Sequence, residues 1–155
     1  MPPVPVTITF RLVPGIRMSS GRAVGFLEGH PDLNAAPAYK SFSQKVSDSM
    51  NVRIQRWTDG HDGPKGWFHG FPNRKEFKEC FVFKYKEHRL YGFLCNPKKE
   101  APAFRLCVLT THDTKFEWET DDSNLKEVEL WRKHLVSLAA IKYVFPEPKK
   151  GLLHG

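Results

Sequence analysis

A chain of 155 residues with 40% hydrophobic and 13% aromatic content can bury a core of its own, which excludes a disordered chain and a disulfide-stapled miniprotein. Its 24 Lys and Arg outnumber 17 Asp and Glu, giving a net charge of +7 and an isoelectric point near 9.4. That balance draws polyanionic partners, RNA or an acidic protein, and is silent on fold.

No stretch is long and apolar enough to span a bilayer, and no basic segment followed by an apolar run opens the chain. The expectation is a cytoplasmic protein with no membrane partner: one domain over 1–148 and a flexible tail over 149–155. The cysteines, Cys80, Cys95 and Cys107, fall inside apolar strands without a CxxC pair and are expected reduced and inert.

In chain order, Val4–Leu12 alternates Val6, Ile8 and Phe10 against Thr7, Thr9 and Arg11, the pattern of a half-buried strand. Ile16–Pro31 is rich in Gly and Ser and reads as a long loop, with a short strand at most around Arg22–Leu27. From Pro37 to Trp57 the apolar residues Tyr39, Phe42, Val46, Met50, Ile54 and Trp57 recur at steps of three and four. This predicts one helix, with Asn34 as its upstream cap. Asp59-Gly60 ends it, and Trp67–Phe77 has too many Gly, Pro and His residues to assign.

The most ordered stretch follows. Glu79–Tyr85, Arg89–Cys95 and Phe104–Thr110 are rich in aromatic and β-branched residues and are separated by charged turns, the signature of three successive strands. In the first, both alternating sets are largely apolar, as expected of a strand covered on both faces. Thr120 to Ser123 then offers capping residues, and Leu125, Val128, Trp131, Leu135 and Leu138 predict a helix running to about Tyr143.

The order of elements resembles the RelE/ParE superfamily of small toxins, in its RelE-like, HigB-type or phage-derived branch. The residues that carry the resemblance are Glu79-Cys80, Phe83-Lys84, Arg89-Leu90-Tyr91-Gly92-Phe93, and Phe104 to Leu109 leading into Thr111 to Lys115. Where that family has two adjacent lysines after the last strand, this chain has His112-Asp113-Thr114-Lys115, and it is about a third longer than a typical member. The resemblance implies an α+β fold, a small antiparallel sheet of about four strands with helices on one side. It also implies a metal-independent endoribonuclease that cleaves mRNA on the ribosome, needs no cofactor and is held by an acidic antitoxin. A catalytically inactive RNA- or protein-binding module of the same fold is the alternative.

Metal-free cleavage requires a base for the 2′-OH, cations on the phosphate and an acid for the 5′-oxygen. Arg89 is the candidate phosphate grip, since a guanidinium can hold two oxygens at once, with Lys84 in support. His112 is the candidate acid or base, and Glu79 a candidate base. Lys115, Tyr91 and Lys86 are candidate RNA contacts, Tyr91 by stacking. Each also has a plain structural role open to it: a strand-end charge, a turn histidine, a core tyrosine. No His or Cys spacing suits zinc, and no phosphate-binding glycine motif is present.

Overall fold

The structure, a computed structural model, describes residues 7–116 and 122–146. Val4 and Val6 of the predicted first strand, Thr120-Asp121 of the predicted cap and the tail over 149–155 lie outside the described residues.

The strands are β1 (Thr9–Leu12), β2 (Arg22–Glu28), β3 (Phe68–Gly70), β4 (Cys80–Tyr85), β5 (His88–Cys95) and β6 (Arg105–Thr114). They form one six-stranded sheet in the order β1-β2-β6-β5-β4-β3. Neighbours are antiparallel except β2 and β6, which run parallel with Val24 opposite Cys107. The fold is thus α+β with a sheet packed on helices, but the sheet is mixed and has six strands rather than about four antiparallel ones.

The difference lies mainly at β2. Ala23, Val24, Phe26 and Leu27 are buried, and the strand sits inside the sheet rather than in the loop expected over Ile16–Pro31. Gly25 masked it in the sequence. A side chain there would strike the ring of Phe10 and the carbonyl of Arg11, so the glycine marks close approach of β1, not a break.

Helices cover both faces, as the doubly apolar β4 requires and contrary to the one-sided cover implied by the resemblance. On one face α1 (Ala35–Ser41) and α2 (Gln44–Thr58) bury Ala36, Met50, Ile54 and Trp57 against Phe26, Phe83, Leu90 and Leu109. On the other, α3 (Ser123–Arg132) and α4 (Leu135–Val144) bury Leu125, Val128, Trp131 and Ile141 against Tyr91, Phe93, Leu106 and Val108. Each large apolar side chain so removed from water contributes about 2–3 kcal/mol.

Both predicted helices are in fact helix pairs. Ser43 leaves helical geometry and its hydroxyl accepts from the Val46 amide at 3.3 Å, capping α2. His134 does the same for α4, its Nδ1 accepting from the Val136 amide at 3.2 Å. The apolar spacing runs through both breaks, which is why periodicity alone joins them.

Candidate nucleic-acid interface

The geometry of the candidate residues turns on one irregularity. Between Tyr91 and Gly92 the pairing of β5 with β6 slips: Gly92 faces Leu109 while Tyr91 faces Thr111, leaving Thr110 as the extra residue of a bulge. Strict alternation from Val108 would put His112 on the same face as Val108. The bulge instead sets His112 opposite Leu90, on the α1/α2 side, and Asp113 opposite Arg89, on the α3/α4 side.

The expected site is therefore divided. On the α3/α4 side Lys84, Arg89 and Asp113 lie side by side across three strands, next to the row Val82, Tyr91, Thr111. Arg89 is buried, and its Nη1 donates to the carbonyls of Lys86 at 2.5 Å and His88 at 3.0 Å. It braces the turn between β4 and β5. Asp113 accepts from Asn124 Nδ2 and from the Thr114 amide, both at 2.8 Å. Tyr91 is part of the core, and Lys115 is buried with its amide donating to the Glu87 carbonyl at 2.7 Å.

Lys84 lines a cavity of about 540 Å³ with Lys65, His69 and Arg74. Arg74 is already engaged by Glu76 and by Asp122, the latter at 2.6 Å. Glu79 lies at the other end of β4, five residues and about 17 Å from Lys84. It lines a separate cleft with Asn96 and Arg105.

His112 lies on the opposite face with His88, its neighbour across β5 and β6. Their rings meet through His88 Nδ1 and His112 Nε2 at 3.1 Å, and Phe42 packs on both, with centroids at 4.8 Å from His88 and 5.6 Å from His112. Glu87 Oε1 stands 3.4 Å from His88 Nε2. A carboxylate there favours the proton on His88 Nε2, so that His88 Nδ1 accepts from His112 Nε2 and His112 Nδ1 is left as the basic nitrogen. Burial, and then the neighbouring His88, hold the His112 pKa below its usual value against the opposing pull of Asp113. His112 also lines a cleft of about 440 Å³ with Asn34, Thr111 and Asp113, along the edge of β6 beyond the end of β2.

From this pair a belt of cations and aromatic rings continues along α2. Lys45, Arg53 and Lys86 all act electrostatically on Tyr85, whose hydroxyl bonds Ser49; that bond, more than the cations, lowers its pKa. The Arg53 guanidinium lies 4.5 Å from the Trp67 ring centre and 4.8 Å from that of Tyr85, and Lys86 Nζ lies 5.6 Å from the same Tyr85 ring. Lys45 is exposed, while Phe42, Trp67 and Tyr85 are half-buried. Cations interleaved with half-buried aromatic rings suit a single-stranded nucleic acid, whose phosphates and bases need both.

Of the residues singled out in the sequence, His112 and Lys86 belong to this belt; Arg89, Lys84, Tyr91, Lys115 and Glu79 do not. Phe42, Lys45, Arg53, Trp67, Tyr85 and His88 are additions. Gly92, an isolated glycine inside a strand, was the one sequence sign of the bulge that moves His112 across the sheet.

Among the described residues, no group of three or more His, Cys, Asp or Glu side chains is placed to hold a metal ion, and no helix is long and apolar enough to cross a membrane. Compared with known proteins, the chain matches no family model, no curated sequence and no solved structure.

Proposed function

We propose that this protein is a RelE-like, metal-independent endoribonuclease acting on mRNA at the ribosome, with an acidic partner protein holding it in check. The observation that carries the reading is the belt of Lys45, Arg53, Lys86, Tyr85 and Trp67 that leads to the coupled imidazoles of His88 and His112. Supporting it are the charge of +7 and the order of the inner elements: β2 enters the sheet beside β6, after which the chain makes two helices and the β4-β5-β6 meander.

In this reading the cations seat the phosphate and a base stacks on the exposed part of the rings. Neutral His112 Nδ1 takes the proton of the 2′-OH as that oxygen attacks phosphorus. The bond from phosphorus to the 5′-oxygen breaks, and that oxygen receives a proton from the imidazole pair. The products are a 2′,3′-cyclic phosphate and a 5′-hydroxyl, and the proton taken at the start balances the one returned. Glu87 positions His88, and His88 in turn His112.

Arg89 favours a second reading, a binding module without catalysis. Its side chain, the expected phosphate grip, is buried with Nη1 donating to two backbone carbonyls, so in this reading the transition state has no forked cation from that residue. One experiment separates the two: tightly controlled induction in a bacterial host, with primer extension on abundant messages, for wild type, His112→Asn, and Lys45→Glu with Lys86→Glu. The nuclease predicts growth arrest and new message ends that vanish in His112→Asn although RNA is still retained. The binding module predicts intact messages and RNA retention lost only in the charge-reversed variant. If wild type neither cuts nor retains RNA at low salt, both readings fail.

A further inference from the structure

The helix α4 is apolar on both its faces. Its sequence, LVSLAAIKYV, contains two polar non-aromatic residues. One of them, Ser137, is buried against the domain, its hydroxyl lacking a hydrogen-bond partner. The other, Lys142, lies on the outward side. Ser137, Ala140 and Ile141 face inward, while Leu135, Leu138, Ala139 and Tyr143 fall at helical spacing on the opposite face.

These outward side chains are open to solvent: Leu135 is 78% exposed, Tyr143 89% and Leu138 44%, and Leu130 at the end of α3 adds 57%. Scattered apolar residues on a surface carry no message, but a stripe at steps of three and four along one helix has the geometry of a helix-pairing seam. A helix apolar on both faces is normally buried on both.

Charge selects what covers it. Lys126 and Lys133 stand exposed on α3 and the turn after it. The carboxylates of α3 are engaged elsewhere: Glu127 accepts from the Trp131 indole at 3.0 Å and lines the cleft beside His112, and the buried Glu129 is gripped by Arg132 at 2.8 Å. The face is therefore apolar with a basic rim. A second copy of this chain would set the same lysines against one another on two bodies of charge +7 each.

We propose that the outer face of α4 is a docking site for an acidic amphipathic helix of another protein, whose apolar residues cover Leu135, Leu138 and Tyr143 while its carboxylates meet Lys126 and Lys133. The site lies on the far side of the sheet from Tyr85 and His112. A partner seated there leaves the cationic belt open, and the inference stands whether or not the protein cuts RNA.

The test uses the whole protein and a fluorescent, end-capped peptide with Leu at i, i+3, i+4 and i+7 and Glu at most other positions. A scrambled peptide of the same composition serves as control, and binding is followed by anisotropy at low and high salt. Saturable binding of the patterned peptide, at least tenfold tighter than the scramble, is expected, with hydrogen-exchange protection confined to α4 and the end of α3. Leu138→Glu and Tyr143→Glu, both at exposed positions, are expected to weaken it about tenfold or more, and Lys133→Glu to weaken it several-fold and flatten its salt dependence. Unchanged thermal melts verify that the variants fold. The proposal is overturned by equal binding of both peptides, by affinity indifferent to Leu138→Glu, by wild-type dimers in sedimentation that Leu138→Glu abolishes, or by binding to phosphatidylglycerol vesicles in place of the peptide. Message cleavage by wild type and His112→Asn is scored separately, so failure here leaves the nuclease reading where it stood.

Discussion

Asn34 stands in for a missing strand beside His112. Its side-chain oxygen accepts from the His112 amide at 2.7 Å and its side-chain nitrogen donates to the His112 carbonyl at 3.1 Å, the two bonds a neighbouring strand would make. They fall where β2 has ended and β6 continues with an open edge. Asn34 was foreseen as a helix cap; it precedes α1 without a side-chain cap bond and spends its carboxamide on the sheet instead. Replacing it by Ala removes both bonds, and Asn34→Ala is expected to cost about 1–2 kcal/mol in urea unfolding. Asn34→Asp retains the acceptor but sets a carboxylate against the carbonyl, and is expected to lose at least as much. Faster hydrogen exchange of the His112 amide in both variants is the local check; unchanged exchange would show that the pairing does not hold the edge.

His112 ties stability to pH. Its pKa is lowered in the folded protein, chiefly by burial and then by His88, so the unfolded chain binds a proton more readily than the folded one. Stability from this group is fully present above the ordinary histidine value of about 6.5 and is lost as pH falls from there through the lowered folded value. Urea melts stepped from pH 7.5 down to 5 should show wild type losing stability faster than His112→Asn over that window. Parallel curves for the two proteins would contradict the assignment.

Gly92 permits the bulge. A Cβ at that position would run into the Val108 carbonyl and crowd the Leu109 backbone, in the middle of the sheet where neither strand can withdraw. Gly92→Ala is expected to cost about 3 kcal/mol or more, toward the upper end for overpacked cores. A thermal melt within a degree or two of wild type would show that the strands part more readily than their pairing implies.

The thiols should be silent. Burial pushes Cys80 and Cys95 up to about 12, with Glu129 adding to the effect on Cys80, and raises the fully enclosed Cys107 well above its usual range. At pH 8 a disulfide reagent should find almost no thiolate in the native protein and titrate all three cysteines once guanidinium unfolds it. Prompt reaction of any one of them before unfolding would refute this.

The three central strands were legible within a few residues because β-branched and aromatic residues crowd them and charged turns part them. What periodicity could not reveal were the stops inside a continuous apolar stripe, at Ser43 and His134, where a side chain caps the next helix without interrupting the spacing. Nor could it place β2, whose single glycine imitates a loop. The candidate site suffered most. Arg89 stands opposite Asp113, the residue after His112, but one extra residue at Thr110 sends Arg89 and His112 to opposite sides of the sheet. His88 gains its place only through a cross-strand neighbour, His112, that no local pattern names.

The parallel pairing of β2 with β6 carries a temporal consequence. Phe26 finds its partner Leu109 about eighty residues further along the chain. During synthesis from the amino end, the β1–β2 hairpin has an unmated inner edge until the last strand has left the exit tunnel. Only then can the sheet close and His112 meet His88, since one belongs to that last strand. The arrangement acts as a delay line: the pairing of His88 with His112, and the cleft beside it, cannot form until β6 has been made.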